Sequence, residues 1–265
     1  KTPALERHQS VVFAQNNSVV HVVHPLCFPS TPFEICKIST PGKNVVLPPG
    51  YTINPFATAP LHVADIQGDN QADLIVLART PGNMPITLCS YGAGDGTFYF
   101  GTPGDDSFGV LTFSQPIAVA DFNGDKVVDL VTSSEIQIGT NPGYVTSFTA
   151  IAGLWTRAVT GDFNGDGKQD VAAASSIAGI DLMLGTGGGT FVAQNIAVQN
   201  ASLVAELAVG DYDGDGRDDV AFTVGSGNSA SLSVAYGAPQ GLNVQRVGPI
   251  AANQLQMVPG SFVAD

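Results

Sequence analysis

A nine-residue acidic pattern returns four times along this chain, and it restricts the fold more than any other feature. It reads D-I-Q-G-D-N-Q-A-D from Asp65, D-F-N-G-D-K-V-V-D from Asp121, D-F-N-G-D-G-K-Q-D from Asp162 and D-Y-D-G-D-G-R-D-D from Asp211. Oxygen-bearing side chains stand at positions 1, 3, 5 and 9, and a peptide carbonyl is free to turn inward at position 7. Several oxygens close together, with glycine where the chain must bend sharply, are how a short loop wraps a hard cation. Each occurrence therefore reads as a calcium loop, giving up to four bound Ca²⁺. The expected ligand sets are Asp65, Gln67, Asp69, Gln71 and Asp73; Asp121, Asn123, Asp125, Val127 and Asp129; Asp162, Asn164, Asp166, Lys168 and Asp170; and Asp211, Asp213, Asp215, Arg217 and Asp219. Gln71, Val127, Lys168 and Arg217 enter through their carbonyls.

The segments around each loop share one grammar. An apolar strand runs in (L-H-V-A, I-A-V-A, A-V-T-G, L-A-V-G) and a second runs out (D-L-I-V-L-A, D-L-V-T-S, D-V-A-A-A, D-V-A-F-T-V). A third follows after a short turn (I-T-L-C-S-Y-G, I-Q-I-G, I-D-L-M-L-G, L-S-V-A-Y-G), and a Gly-rich turn opens a fourth. Short runs rich in β-branched residues and bounded by Gly, Pro, Asn and Asp are strand-and-turn chemistry. With 31 glycines and 17 prolines, no stretch keeps a helical period. The loops recur about every fifty residues, in the range of propeller blades. The expectation is an all-β chain, a β-propeller of four-stranded antiparallel blades.

The segment A-V-T-G-D-F-N-G-D-G-K-Q-D-V-A-A-A, followed by L-M-L-G-T-G-G-G-T-F, resembles an FG-GAP (VCBS-type) repeat. That repeat is the calcium-loop blade of integrin α-chain propellers and of many secreted bacterial and fungal proteins. The resemblance covers residues 60–265 well and 1–59 poorly. It implies a propeller with calcium held between the first and second strands of a blade, in a secreted or cell-surface protein, and it does not choose among the family's roles. Two loops depart from the pattern. Lys126 stands where position 6 is usually glycine, and the first loop has Gln67 at position 3 and Asn70 at position 6.

Residues 1–59 are read as strands without a calcium loop: V-V-F-A-Q, V-V-H-V-V-H, F-E-I-C-K-I and N-V-V-L. They would supply an unliganded blade or the outer strands of one. The repeats run from 60 to 265, with loops at 65–73, 121–129, 162–170 and 211–219 and a partial repeat at 258–265. The sequence begins K-T-P-A-L-E-R-H, without an initiating methionine or an apolar signal core, as a processed protein or a fragment does. It ends S-F-V-A-D, where a fifth motif would start. Either that strand closes the ring against the N-terminal strands, giving about five blades, or the chain is cut from a larger propeller. Cys27 and Cys36 flank a Pro-rich segment and stand close enough to be bridged or to be two buried thiols; Cys89 is left over.

The net charge of −13 argues against a nucleic-acid partner, since phosphate binding needs basic patches. Much of it belongs to the loops, and four Ca²⁺ would bring it to about −5. No apolar run is long enough to span a membrane. Nothing marks a catalytic centre. His21 and His24 lie three apart in a strand and point to opposite faces, and the glycine runs at 92–96 and 185–189 precede strands rather than helices, so they are not phosphate cradles. Asp105, Asp106 and Asp181 are loop carboxylates that a polysaccharide lyase could use, though nothing singles them out. Recognition is expected on the face opposite the calcium loops, at 79–85, 101–116, 150–156, 225–230 and 248–259. Trp155, the single tryptophan, either stacks on a sugar there or packs between blades. Phe122, Phe163 and Tyr212, at loop position 2, read as packing internal to each repeat. The function expected is an extracellular, calcium-stabilised binding module for carbohydrate (lectin-like) or adhesion. The alternatives are a structural or protein-binding propeller in a larger secreted toxin or surface assembly, and, third, a polysaccharide lyase.

Overall fold

The computed structural model describes residues 11–16, 19–23, 25–28, 35–38, 43–55, 61–66, 73–92, 98–99, 109–112, 116–140, 144–150, 154–175, 179–196, 198, 204–225 and 231–249. Every regular element among them is a strand. Two compact units form, Lys1–Gln115 and Pro116–Asp265. The boundary read from the sequence at 59/60 falls inside the first.

The first unit contains β1 (Val11–Asn16), β2 (Val19–Val23), β3 (Pro25–Phe28), β4 (Ile35–Ile38), β5 (Lys43–Val46), β6 (Thr52–Ile53), β7 (Leu61–Ala64), β8 (Asp73–Arg79), β9 (Pro85–Gly92), β10 (Phe98–Tyr99) and β11 (Gly109–Thr112). Strands β1, β2 and β5 make one antiparallel sheet, and β3 pairs with β4. That register sets Cys27 opposite Cys36, the backbone arrangement a disulfide between them requires. The sheet around Asp65 is larger than the repeat grammar predicts. β8 pairs β7 along its first half and β6 at its end, while β9 pairs both β10 and β11. β8 and β9 outrun their short partners, and the ladder groups left over are taken by the two extra strands. One of these, β11, lies inside the segment expected to be the 101–116 loop. Val45, Leu47, Ile53, Leu74, Val76, Ala78, Ile86 and Leu88 form the core here. Cys89, free and buried in β9, has its thiol pushed well above its ordinary range, first by burial and then by the charge of Asp73.

The second unit follows the repeat grammar. Its three antiparallel sheets each hold four strands in sequence order. They are β12 (Ala118–Ala120), β13 (Asp129–Val131), β14 (Glu135–Thr140) and β15 (Tyr144–Ala150); β16 (Trp155–Gly161), β17 (Asp170–Ser175), β18 (Ile180–Gly185) and β19 (Phe191–Ile196); and β20 (Val204–Gly210), β21 (Asp219–Val224), β22 (Ser231–Ala238) and β23 (Gly241–Pro249). Strand β17 explains how they stack. Side chains alternate across a strand, and both faces of D-V-A-A-A are covered. Val171 and Ala173 join Ala118, Phe122, Val131 and Ile136 in one core, whereas Ala172 and Ala174 join Val220, Phe222 and Ala235 in another. The run is apolar throughout because a sheet packs on either side of it.

Phe122 and Phe163 sit in those same seams. Phe122 meets the edge of Phe191 in the next sheet, with ring centroids 5.2 Å apart and planes at 73°. For Phe122 and Phe163, the packing expected inside each repeat is thus shared with the next repeat. Peptide bonds cross the seams too: Gly189 N–H donates to the Phe122 carbonyl at 3.2 Å and Ala238 N–H to the Phe163 carbonyl at 3.1 Å. The loops from Asp121 and Asp162 thus lie beside the turn between the third and fourth strands of the following sheet.

Candidate metal centre

The acidic loops of the second unit fold alike because their side chains bind their own backbone. In the loop from Asp162, Oδ1 accepts the N–H groups of Gly165 (2.8 Å) and Asp166 (3.0 Å), and Oδ2 accepts that of Gly167 (2.8 Å). Asn164 Oδ1 then accepts Asp166 N–H at 2.9 Å, and Asp166 Oδ1 accepts Lys168 N–H at 3.0 Å. Asp211, Asp213 and Asp215 repeat this pattern. Asp121, Asn123 and Asp125 repeat most of it. The winding requires positive φ at two places. Position 4 is glycine in all three loops, at +78°, +76° and +77°. Position 6 is Gly167 at +79°, Gly216 at +85° and, in the odd loop, Lys126 at +69°. A side chain at that φ is strained by roughly 1 kcal/mol, so Lys126→Gly should raise stability by up to about 1 kcal/mol, offset in part by glycine's greater unfolded-state freedom. A urea titration of the variant checks this.

Position 9 plays a different part from positions 1, 3 and 5. Asp73, Asp129, Asp170 and Asp219 open the second strands and are fully buried. Each carboxylate bridges two distant peptides. Oδ2 accepts the position-2 N–H: Ile66 at 2.8 Å, Phe122 at 2.7 Å, Phe163 at 3.0 Å and Tyr212 at 2.7 Å. Oδ1 accepts the N–H of the glycine near or at the end of the third strand: Gly92 at 2.8 Å, and Gly139, Gly185 and Gly237 at 2.7 Å. That glycine is required by close approach rather than by φ. A Cβ on Gly185 would stand 2.2 Å from the Gln169 carbonyl oxygen, and one on Gly237 2.6 Å from that of Asp218. The aspartate therefore clamps the start of the loop to the third strand. Burial pushes the Asp129 and Asp170 carboxyls up to about 6; the two N–H donors oppose this, and the loop carboxylates Asp121 and Asp125, or Asp166 and Asp162, add to it. Asp219 is raised in the same way, with Asp213 and Asp211 as its charged neighbours.

The remaining carboxylates face outward and converge. Oxygens of Asp211, Asp213 and Asp215 lie within 4.8 Å of one another. Oxygens sharing one Ca²⁺ at 2.3–2.6 Å lie no more than about 5 Å apart, so this set fits a hard cation, and its all-oxygen chemistry suits calcium or magnesium. Position 5 also meets a cationic side chain in two loops: Lys168 Nζ lies 3.1 Å from Asp166 Oδ2, and Arg217 pairs with Asp215. Asn123 and Asn164 leave two carboxylates in place of three in their loops, with the same hydrogen-bonded frame. In the first loop, Gln67, Asp69 and Gln71 lie outside the described residues; Asp65 is half-buried and Asp73 forms the clamp.

The stacking role open to Trp155 is ruled out by its placement. Its side chain is 2% exposed, packed with Ala173 and Met183, and its indole N–H donates to Asp181 Oδ2 at 2.8 Å. Asn195 Nδ2 holds the other Asp181 oxygen at 2.7 Å, so this carboxylate is a packing partner with both oxygens engaged. Trp155→Phe keeps part of the apolar contact and loses one hydrogen bond. It should lower stability by about 1–2 kcal/mol in chemical denaturation. Among the described residues of this connection, the exposed apolar side chain is Leu154, at 59%. Asp105 and Asp106 lie outside the described residues, as do 101–108, 113–115, 151–153, 226–230 and 250–259 of the expected recognition loops.

No relative is found among curated proteins. Among solved structures, the V. cholerae biofilm matrix protein Bap1 is 16% identical, with a TM-score of 0.42 over 89% of this chain and 39% of Bap1. A triple-arginine mutant of AofleA from Arthrobotrys oligospora is 11% identical, with a TM-score of 0.46 over 96% of this chain and 75% of that one. This chain thus spans about two fifths of Bap1. The family match is local. Residues 162–222, from the first aspartate of the third loop to Phe222 beyond the fourth, match the FG-GAP-like repeat family, and the chain carries an FG-GAP-like repeat there.

Proposed function

We propose that this chain is an extracellular, calcium-stabilised β-propeller module, of about five blades or part of a larger ring, that recognises carbohydrate in a lectin-like or adhesive role. The observation that carries the reading is the outward-facing Asp211–Asp213–Asp215 cluster, held in shape by its own backbone within a matched FG-GAP-like repeat. Bound calcium would neutralise carboxylates that otherwise repel. Asp162, Asn164 and Asp166, and Asp121, Asn123 and Asp125, would hold an ion in the same manner. The buried position-9 aspartates fix the hairpin from behind. Weak affinity, about 10⁻⁴–10⁻³ M, is enough for a module in calcium-rich surroundings.

Recognition falls to the face away from the loops, because the loops and the neighbouring third-to-fourth-strand turns occupy one side of each seam. Within the second unit, the connection carrying the exposed Leu154 is one such segment; within the first unit, taken by itself, it is 79–85, where Met84 is exposed. Binding rather than catalysis is the role proposed. Asp181, with both oxygens engaged, makes a poor general acid or base, which weighs against the lyase reading. A glycan array probed in millimolar calcium, with and without chelator, tests the proposal. Calcium-dependent signal on a narrow class of sugars is the outcome expected. A blank array from folded protein would overturn carbohydrate recognition and favour a protein ligand in a larger secreted assembly.

A further inference from the structure

The third and fourth acidic loops are tied together by a residue that belongs to neither ion-facing set. Asp218 stands at position 8 of the fourth loop, where the other loops have Ala72, Val128 and Gln169. Its N–H donates to the Asp162 carbonyl at 3.0 Å, and its Oδ2 accepts the Asp162 N–H at 2.9 Å. Both peptides flanking the first ion-facing residue of the third loop are therefore held by the fourth. The fit is tight, since a Cβ on Gly161 would stand 2.7 Å from Asp218 Oδ2. A second contact lies alongside. Arg217, anchored by Nε to the Gly237 carbonyl at 3.1 Å, runs its aliphatic stem against Gly165, where a Cβ would meet Arg217 Cγ at 3.1 Å.

From this arrangement we infer that the 162–170 and 211–219 loops bind their cations cooperatively, with Asp218 as the positioning residue that transmits occupancy; the inference rests on the calcium reading above. An ion held by Asp211, Asp213 and Asp215 immobilises residues 211–217. Asp218 follows directly and continues into the Asp219 clamp, so it is fixed with them. That fixes the Asp162 peptide, and the third loop is then ordered before its own ion arrives. Ordering already completed by one ligand need not be repeated by the second, which is positive cooperativity without a change of shape.

Hydrogen exchange of full-length protein, titrated with CaCl₂ and read separately over 161–170 and 211–219, tests this. Asp215→Asn directly weakens only the fourth loop, and Asp213→Ala, which removes the position-3 oxygen altogether, is a second variant with the same purpose. In otherwise unaltered protein, either should raise the calcium midpoint of the third loop about fivefold or more, within the usual range of coupling between sites. In an Asp218→Ala background, which loses the bond to the Asp162 N–H but keeps the backbone bond to the Asp162 carbonyl, the same substitution should shift the third-loop midpoint markedly less. Asp218→Asn keeps an acceptor for the Asp162 N–H and should restore most of the coupling. A third-loop midpoint that ignores Asp215→Asn, while the fourth loop loses its response, would overturn the coupling and leave calcium binding standing. Loops that both ignore calcium in the unaltered protein would overturn both.

Discussion

Asp170→Ala is expected to lower stability by about 3–5 kcal/mol, because it leaves two buried peptide N–H groups without an acceptor. Those groups belong to Phe163 and Gly185, one at the start of the loop and the other at the end of β18. Each bond to a carboxylate contributes about 1.5–3 kcal/mol, and water cannot replace it at a site with no exposed surface. Asp170→Asn should cost less, since the amide keeps one acceptor while turning its NH₂ toward a donor. Asp166→Ala is the contrasting variant. Asp166 is exposed and its partners are local, so in chelator its loss should cost under about 1 kcal/mol. Urea denaturation with EDTA measures all three. If Asp166→Ala proved the more damaging without calcium, the clamp would not be what holds the hairpin.

Calcium should produce the other large effect. A ligand that binds only the folded state adds RT ln(1 + [L]/Kd). At 10 mM Ca²⁺ and affinities of about 10⁻⁴–10⁻³ M, each loop gains roughly 1.4–2.7 kcal/mol. Occupancy of the three loops of the second unit would together raise the melting temperature by about ten degrees or more. Magnesium at the same concentration should do less, because it demands a tighter octahedron and sheds water reluctantly. Thermal melts in EDTA, MgCl₂ and CaCl₂ decide the matter. Identical melts in all three would remove calcium from the account.

Local chemistry was legible in the sequence, and partnerships across the sheets were not. The three four-stranded sheets of the second unit follow from turn residues and β-branched runs, and Lys126 was identifiable as the residue out of place at position 6. The position-9 aspartates were harder, because spacing alone gives Asp170 and Asp166 equal standing as ligands. Burial separates them, and burial follows from how the loop folds back onto the third strand of its own sheet. The recurrent glycine near the end of each third strand was the available signal: a residue that closes a strand four times is admitting a close peptide. Trp155 finds its acceptor in Asp181, on another strand of its sheet, and no period connects them. In the first unit, the pairing of β6 and β11 with the long central strands has no counterpart in the repeat, so repeat-based reading passed over it.

The alternating alanines of β17 bear on how such a chain can change in length. Because one strand furnishes half of two separate cores, the sheet β16–β19 is a wall shared by neighbours on either side. Inserting or deleting one whole repeat brings like walls together and keeps every interior filled, since stability in such arrays is close to a sum of units and their junctions. Removing half a repeat would strip one side of a wall and expose its apolar face. An ancestral duplication at this seam is thus tolerated only in complete units, and small side chains at 172–174 keep the wall thin enough for a copied neighbour to fit.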